Sequence, residues 1–247
     1  MHKLAVIAPA SPFDGDLEAI ECKLIESNII IETNFKAPPQ DALVNAFTDD
    51  TVDAIMAARG GFGCCKITED IDWRHLKNYN KPFLGYSDIT ILLNNLYQKS
   101  GVVTYHAPVL MELGKIAKDD YKALVRVIKG GSIDDLYANS SECKQISGII
   151  VGGNLTILAS ITGTNDQVNS DGKILFLEDV NEKLYRIERC LWQLKRSNQL
   201  AKVKAILLGE FLFDKQHKNE FQNEVYKLVR EVAPDKIIIN RVRSGHG

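Results

Sequence analysis

The 247-residue sequence is 45% hydrophobic and 25% charged, with a formal net charge of −2 and a pI of about 6.2. That length can bury a sizeable core without crosslinks and suits one large domain or two small ones. The near-neutral balance gives no electrostatic case for nucleic acid, and the absence of an 18-residue apolar run argues against a membrane-spanning helix. MHKLAVIAPASPFDGD at the start has too short an apolar stretch, with acids close behind, for a signal peptide, so a cytoplasmic protein is expected. The five cysteines (22, 64, 65, 143 and 190) form no CxxC pair and no Cys/His ligand set. They are expected to be reduced and structural.

In chain order, LAVIAPA (4–10) reads as a buried first strand and DLEAIECKLIESN (16–28) as an amphipathic helix, with apolar residues at 17, 20, 24 and 25. DALVNAFTDD is a second helix, and VDAIMAARGGFG a strand that runs into a glycine turn. KPFLGYS is a strand, followed at once by the helix DITILLNNLYQKSG with Gly101 as its stop. VVTYHAPVL is a strand and DDYKALVRVIKGG a helix. Strands alternating with helices indicate a parallel sheet covered on both faces.

The pattern breaks near 131–147, where GSIDDLYANSSECKQIS is polar and weakly periodic. Residues 1–135 are therefore expected to form one α/β domain, 136–147 a linker and 148–247 a second domain. The second domain opens with GIIVGGNLTILASITG. The strand KILFLEDV, the helix LYRIERCLWQLKRSN, the strand VKAILLGEF, the helix EFQNEVYKLVREVA and the strand KIIIN follow. This is a smaller, mixed α/β unit.

Active sites in open α/β sheets lie beyond the carboxyl ends of the strands. In ARGGFGCCK (58–66), Gly60, Gly61 and Gly63 follow a strand and leave N–H groups bare for an anion. Neither GxxxxGK[ST] nor GxGxxG is matched, so the choice is an oxyanion or carboxylate nest or a plain tight turn. Gly85-Tyr86-Ser87-Asp88-Ile89 resembles a nucleophile elbow, but Ile89 stands where GxSxG has its last glycine. Ser87 or Asp88 could instead cap the following helix. His106, after VVT, is either catalytic or a strand-end residue bonded locally.

Glu178 and Asp179 close the strand ILFLEDV and could equally be acids at a helix entry. His246, between two glycines in RVRSGHG, is a candidate base or an ordinary surface histidine. A serine needs a base of near-neutral pKa, and that base needs a carboxylate to fix its tautomer. Ser87, His246 and Glu178 supply those three types, although spacing alone does not bring them together.

Taken together, IAPAS, ARGGFG, GYSDIT, VGGNLT, LFLEDVNE with YRIER, and GHG resemble the LD-carboxypeptidase family. This family comprises muramoyl-tetrapeptide carboxypeptidases and the related microcin C self-immunity peptidases. The pieces fall in the family's order and span nearly the whole chain. The resemblance implies an N-terminal flavodoxin-like parallel-sheet domain joined to a smaller C-terminal domain. It implies a Ser–His–Glu triad split across the two, with Ser87 as nucleophile, His246 as general base and Glu178 as the orienting acid. The N–H of Asp88 and one from the Gly60–Gly61 turn would form the oxyanion hole.

By the same resemblance the protein would be a metal-free, cofactor-free cytoplasmic homodimer. Its substrates would be murein tetrapeptides, cut before the terminal D-alanine during peptidoglycan recycling. The family pattern continues past GHG, so the second domain is expected to lack its tail. Arg59, beside the glycine turn, is a candidate for the substrate's terminal carboxylate, or else part of a structural ion pair. Two alternatives remain. One is an immunity-type peptidase acting on aminoacyl or peptidyl nucleotides, with an aromatic such as Tyr185 stacking on the base. The other is a non-catalytic peptide- or sugar-binding protein in which Ser87 is only a cap.

Overall fold

A computed structural model describes residues 1–133, 146–213 and 216–243. The chain divides into two units, Met1–Asp135 and Leu136–Gly247. The first is built on β1 (His2–Ile7), β2 (Ile29–Asn34), β3 (Ala54–Ala57), β4 (Phe83–Gly85) and β5 (Thr104–His106). All pairings are parallel, in the order β2-β1-β3-β4-β5. That is the flavodoxin-like order, whose ligands bind at the β1/β3 switch point. The helices are α1 (Leu17–Glu26), α2 (Pro39–Thr48), α3 (Thr90–Asn95) and α4 (Lys118–Ile128).

Alternation along the strands sorts side chains onto the two faces. Leu4, Val6, Ala54, Met56 and Leu84 pack with Ile20 and Leu24 of α1 and Leu124, Val127 and Ile128 of α4. On the neighbouring strand positions Ala5, Ile7, Ile55 and Phe83 are also buried, and the Phe83 ring lies 6.4 Å from that of Phe47 on α2. Burial on both faces explains why β1 and β3 read as continuous apolar runs.

The second unit carries β6 (Ile150–Asn154), α5 (Leu155–Ser160), β7 (Ile174–Val180), α6 (Leu184–Arg196), β8 (Ala205–Leu212), α7 (Lys218–Val232) and β9 (Ile237–Ile239). Its sheet is parallel throughout, in simple sequential order β6-β7-β8-β9. Two details depart from the sequence pattern. β2 was not anticipated, because as an edge strand it buries only Ile29 and carries Glu32, Thr33 and Asn34. The helix expected over 88–101 is three pieces: a 3₁₀ turn at Ser87–Ile89, then α3, then a π turn at Leu96–Ser100. Gly101 ends it with φ 74° in the left-handed region, as a C-terminal glycine should.

Candidate active site

The carboxyl ends of β1, β3 and β4 present three turns, and these meet around Ser87. Ser87 is half-buried and sits between β4 and the 3₁₀ turn with φ 62°. A non-glycine residue there carries a strain of about 1–2 kcal/mol, which a mere helix start has no reason to hold. Neither the 3₁₀ turn nor α3 takes a side-chain capping bond at its N-cap. Ile89 folds back over Gly85, where a Cβ would stand 2.7 Å from Ile89 Cγ2. The first glycine of the elbow is thus fixed by the very residue that replaces the last one.

The glycine turn after β3 reaches the same point. A Cβ on Gly60 would lie 3.0 Å from both Cβ and Oγ of Ser87, so only a bare backbone fits beside the serine. Gly61 has φ 123°, and a Cβ on it would fall 2.1 Å from Ser11 Oγ. Ser11, from the turn after β1, accepts the Phe62 N–H at 3.4 Å. On the other side, Asp88 is 6% exposed and its Oδ2 accepts the Cys64 N–H at 2.9 Å. Burial, aided by the neighbouring Asp88 carboxylate, pushes the Cys64 thiol well up from its usual range.

Around this core the Tyr86 hydroxyl hydrogen-bonds Glu112 Oε1, and the His106 ring stands edge-on to Tyr86 at 5.8 Å. His106 pairs with Gly85 across β4 and β5. Arg59 Nη1 is 2.7 Å from Asp14 Oδ1 and 3.4 Å from the Pro12 carbonyl. The structural ion pair foreseen as the competing role for Arg59 is therefore present. Nearby, Lys66 Nζ lies 5.3 Å from the centre of the Phe62 ring.

In the second unit Glu178 is fully buried near the carboxyl end of β7, opposite Asn154 of β6. The β7–β8 register shifts between Leu177 and Asp179, an irregularity of the kind that re-aims a side chain. The adjacent Asp179 has a structural occupation. It accepts Asn154 Nδ2 at 3.0 Å, the Thr156 N–H at 3.0 Å, Thr156 Oγ1 at 2.8 Å and the Val180 N–H at 2.8 Å. Asn154 in turn caps α5 through the Ile157 N–H at 3.1 Å. Asn154 and Thr156 of VGGNLT and the second acid of LEDV thus share one hydrogen-bond network.

Ser87, Asp88, Gly60 and Gly61 are thus brought together in the first unit, with Arg59 flanking them. Glu178 lies in the second unit, and His246 falls outside the described residues, as does Cys143. The sequence pattern missed Ser11 and the Asp88–Cys64 bond. IAPAS was the one signal for Ser11, and it gave no role. Among the described residues no cluster of three or more His, Cys, Asp or Glu is arranged to hold a metal, and no helix is long and apolar enough to cross a membrane.

Comparison with known proteins finds relatives that match both units. Residues 4–107 match the profile of the LD-carboxypeptidase N-terminal domain, and residues 147–247 that of the LD-carboxypeptidase C-terminal domain. A probable murein peptide carboxypeptidase of Bacillus subtilis (strain 168) is 36% identical over 228 residues, covering 84% of this chain and 72% of its own. The murein tetrapeptide carboxypeptidase of Pseudomonas aeruginosa is 29% identical, covering 99% of this chain and 88% of its own. The solved structure of a muramoyltetrapeptide carboxypeptidase from Oxalobacter formigenes matches with a TM-score of 0.83 at 25% identity, over 99% of this chain and 89% of that one. An MccF-like protein from Bacillus anthracis shares the fold, with a TM-score of 0.82 at 24% identity, over 99% and 88% of the two chains.

Proposed function

This chain belongs to the LD-carboxypeptidase family, and we propose that it is a serine peptidase that releases the terminal D-alanine from murein tetrapeptides. Ser87 Oγ attacks the carbonyl of the diamino acid's L-centre while His246 takes its proton. Glu178 orients the imidazole and stabilises its charged form. The tetrahedral oxyanion is received by the Asp88 N–H and one N–H of the Gly60–Gly61 turn, a donor type worth about 10²–10³ in rate. Collapse expels the D-alanine amine, protonated by His246, and water then frees the enzyme from its acyl ester. Arg59 is proposed to draw the substrate's terminal carboxylate, in competition with Asp14.

The observation that carries the proposal is the strained Ser87 with the bare Gly60 backbone pressed against it. A binding protein in which Ser87 merely caps a helix gives no reason for that strain. The family relationship also supports a cytoplasmic homodimer working in peptidoglycan recycling, without metal or cofactor and without nucleic-acid or membrane partners.

One observation favours the immunity-type peptidase as a second possibility: Tyr185 is 50% exposed at the start of α6, with the Arg189 guanidinium 5.2 Å from its ring centre. Such a face suits stacking on a nucleobase. Trp192 is half-buried under Lys195 and Arg196 and is less suited to it. Side-by-side turnover of a murein tetrapeptide and an aminoacyl-sulfamoyl adenosine separates the two. D-Alanine release with little nucleotide turnover is expected, and the reverse would make this an immunity-type enzyme.

A further inference from the structure

Asp88 offers the site two different groups. Its main-chain N–H follows the nucleophile, while its carboxylate reaches the backbone of the glycine turn. Oδ2 accepts the Cys64 N–H at 2.9 Å, from the far end of the glycine turn. The Cys64 side chain is fully buried, with the Asp88 carboxylate as its charged neighbour. A carboxylate buried to this degree is costly unless its oxygens are satisfied, so the bond to Cys64 is a requirement of the fold at this point. Asp88 stands inside the 3₁₀ turn Ser87–Ile89, and the N-caps of that turn and of α3 are Tyr86 and Ile89, so Asp88 is the N-cap of neither.

Ser11 holds the other edge of the same turn through the Phe62 N–H. Gly60 and Gly61 thus run directly into two ties, at Phe62 and Cys64, and Gly60 packs tightly against Ser87.

We propose that the Asp88 carboxylate is a positioning residue. By accepting the Cys64 N–H it fastens the 60–64 turn to the nucleophile elbow, and so fixes the separation between the two halves of the oxyanion hole. One of those halves is its own N–H. The inference rests on the oxyanion hole proposed above. An oxyanion donor acts only when it is aimed at the place where charge develops, and displacements of about 1 Å can cost 10²-fold in rate.

The test compares the wild type, Asp88→Ala and Asp88→Asn in three measurements: hydrogen exchange of the segment 58–66, the rate of Ser87 labelling by a fluorophosphonate, and kcat and KM for D-alanine release from a murein tetrapeptide. In Asp88→Ala, exchange rises in 58–66 without a general rise elsewhere. Labelling and kcat both fall about 10²-fold, while KM stays within about threefold. Asp88→Asn keeps an acceptor for the Cys64 N–H but loses the charge, so it recovers to within about tenfold of wild type.

If Asp88→Ala does not fold, Asp88→Asn carries the test, with faster exchange in 58–66 and labelling slowed by between about twofold and tenfold. Unchanged exchange in the turn, or labelling at the wild-type rate, overturns the inference. So does an equal loss in both variants with exchange raised throughout the unit, which marks a merely structural aspartate. A wild type that is labelled at Ser87 but releases no D-alanine contradicts the proposed substrate alone, and exchange and labelling still decide the role of Asp88. A wild type that is not labelled removes the oxyanion hole and the inference with it.

Discussion

Gly60 and Ser87 approach so closely that a Cβ on Gly60 would stand 3.0 Å from both Cβ and Oγ of the serine. Two strand-end turns, one from β3 and one from β4, are therefore fitted to each other with no room for a methyl group. This contact unites the glycine turn and the serine elbow, neither of which is decisive alone.

Gly60→Ala should disturb the nucleophile more than the fold. The new methyl must push Ser87 aside by a few tenths of an ångström, and kcat for D-alanine release should fall at least about tenfold. The thermal midpoint should move by only a few degrees. Wild-type kcat in this variant would mean that Ser87 is not held by that contact.

The strain at Ser87 makes a stability prediction of opposite sign to activity. Ser87→Gly removes a left-handed conformation that is unfavourable for any side chain, so it should be at least as stable as wild type. Ser87→Val, β-branched at φ 62°, should lose about 1–2 kcal/mol. Denaturant melts of the three proteins give the order directly, and all activity should be gone from both variants.

Arg59 and Asp14 separate substrate binding from ion pairing. The Arg59–Asp14 pair is partly exposed, with Asp14 70% accessible, and should contribute less than about 1 kcal/mol to stability. Arg59→Ala should raise KM about tenfold with kcat little changed, the cost of losing one charge-assisted bond. Asp14→Ala should leave KM within about twofold, since it removes only a competitor for the guanidinium. Equal KM values in the two variants would assign Arg59 to structure alone.

Asp49 sets a low-pH limit on stability, away from the site. Hydrogen bonds from the Thr51 hydroxyl and N–H, with Lys3 nearby, lower its pKa from 3.8 to about 2. A lowered carboxylate pKa stabilises the fold only when the group is ionised. Its contribution is thus complete above the unfolded value near 3.8 and is lost as pH falls toward 2. The melting temperature of wild type should exceed that of Asp49→Asn at neutral pH, and the gap should close across that window. A gap independent of pH would remove the electrostatic explanation.

Much of this was legible in the sequence because it is written locally. β1, β3, β4, β7 and β8 are largely buried apolar runs, and the turns after β1, β3 and β4 carry Ser11, Gly60 and Ser87. The edge strand β2 was lost because its half-solvated IIIETN lacks that signature. Ser87 could be singled out, but its φ of 62°, which tells an elbow from a cap, leaves no trace in residue order. Long-range ties were the least visible. Asp88 reaches Cys64 24 residues away, and Ser11 reaches Phe62 51 residues away, and no periodicity encodes such pairs. Asp179 shows the converse: the sequence offers it beside Glu178, and three of its four hydrogen bonds tie it to the β6–α5 turn.

D-Alanine release from a murein tetrapeptide by wild type and by Ser87→Ala is the most direct test of the central claim. Release by the wild type, abolished in a Ser87→Ala variant that melts at an unchanged temperature, is the predicted result. Undiminished release from Ser87→Ala would show that another group makes the attack and would contradict the assignment of Ser87.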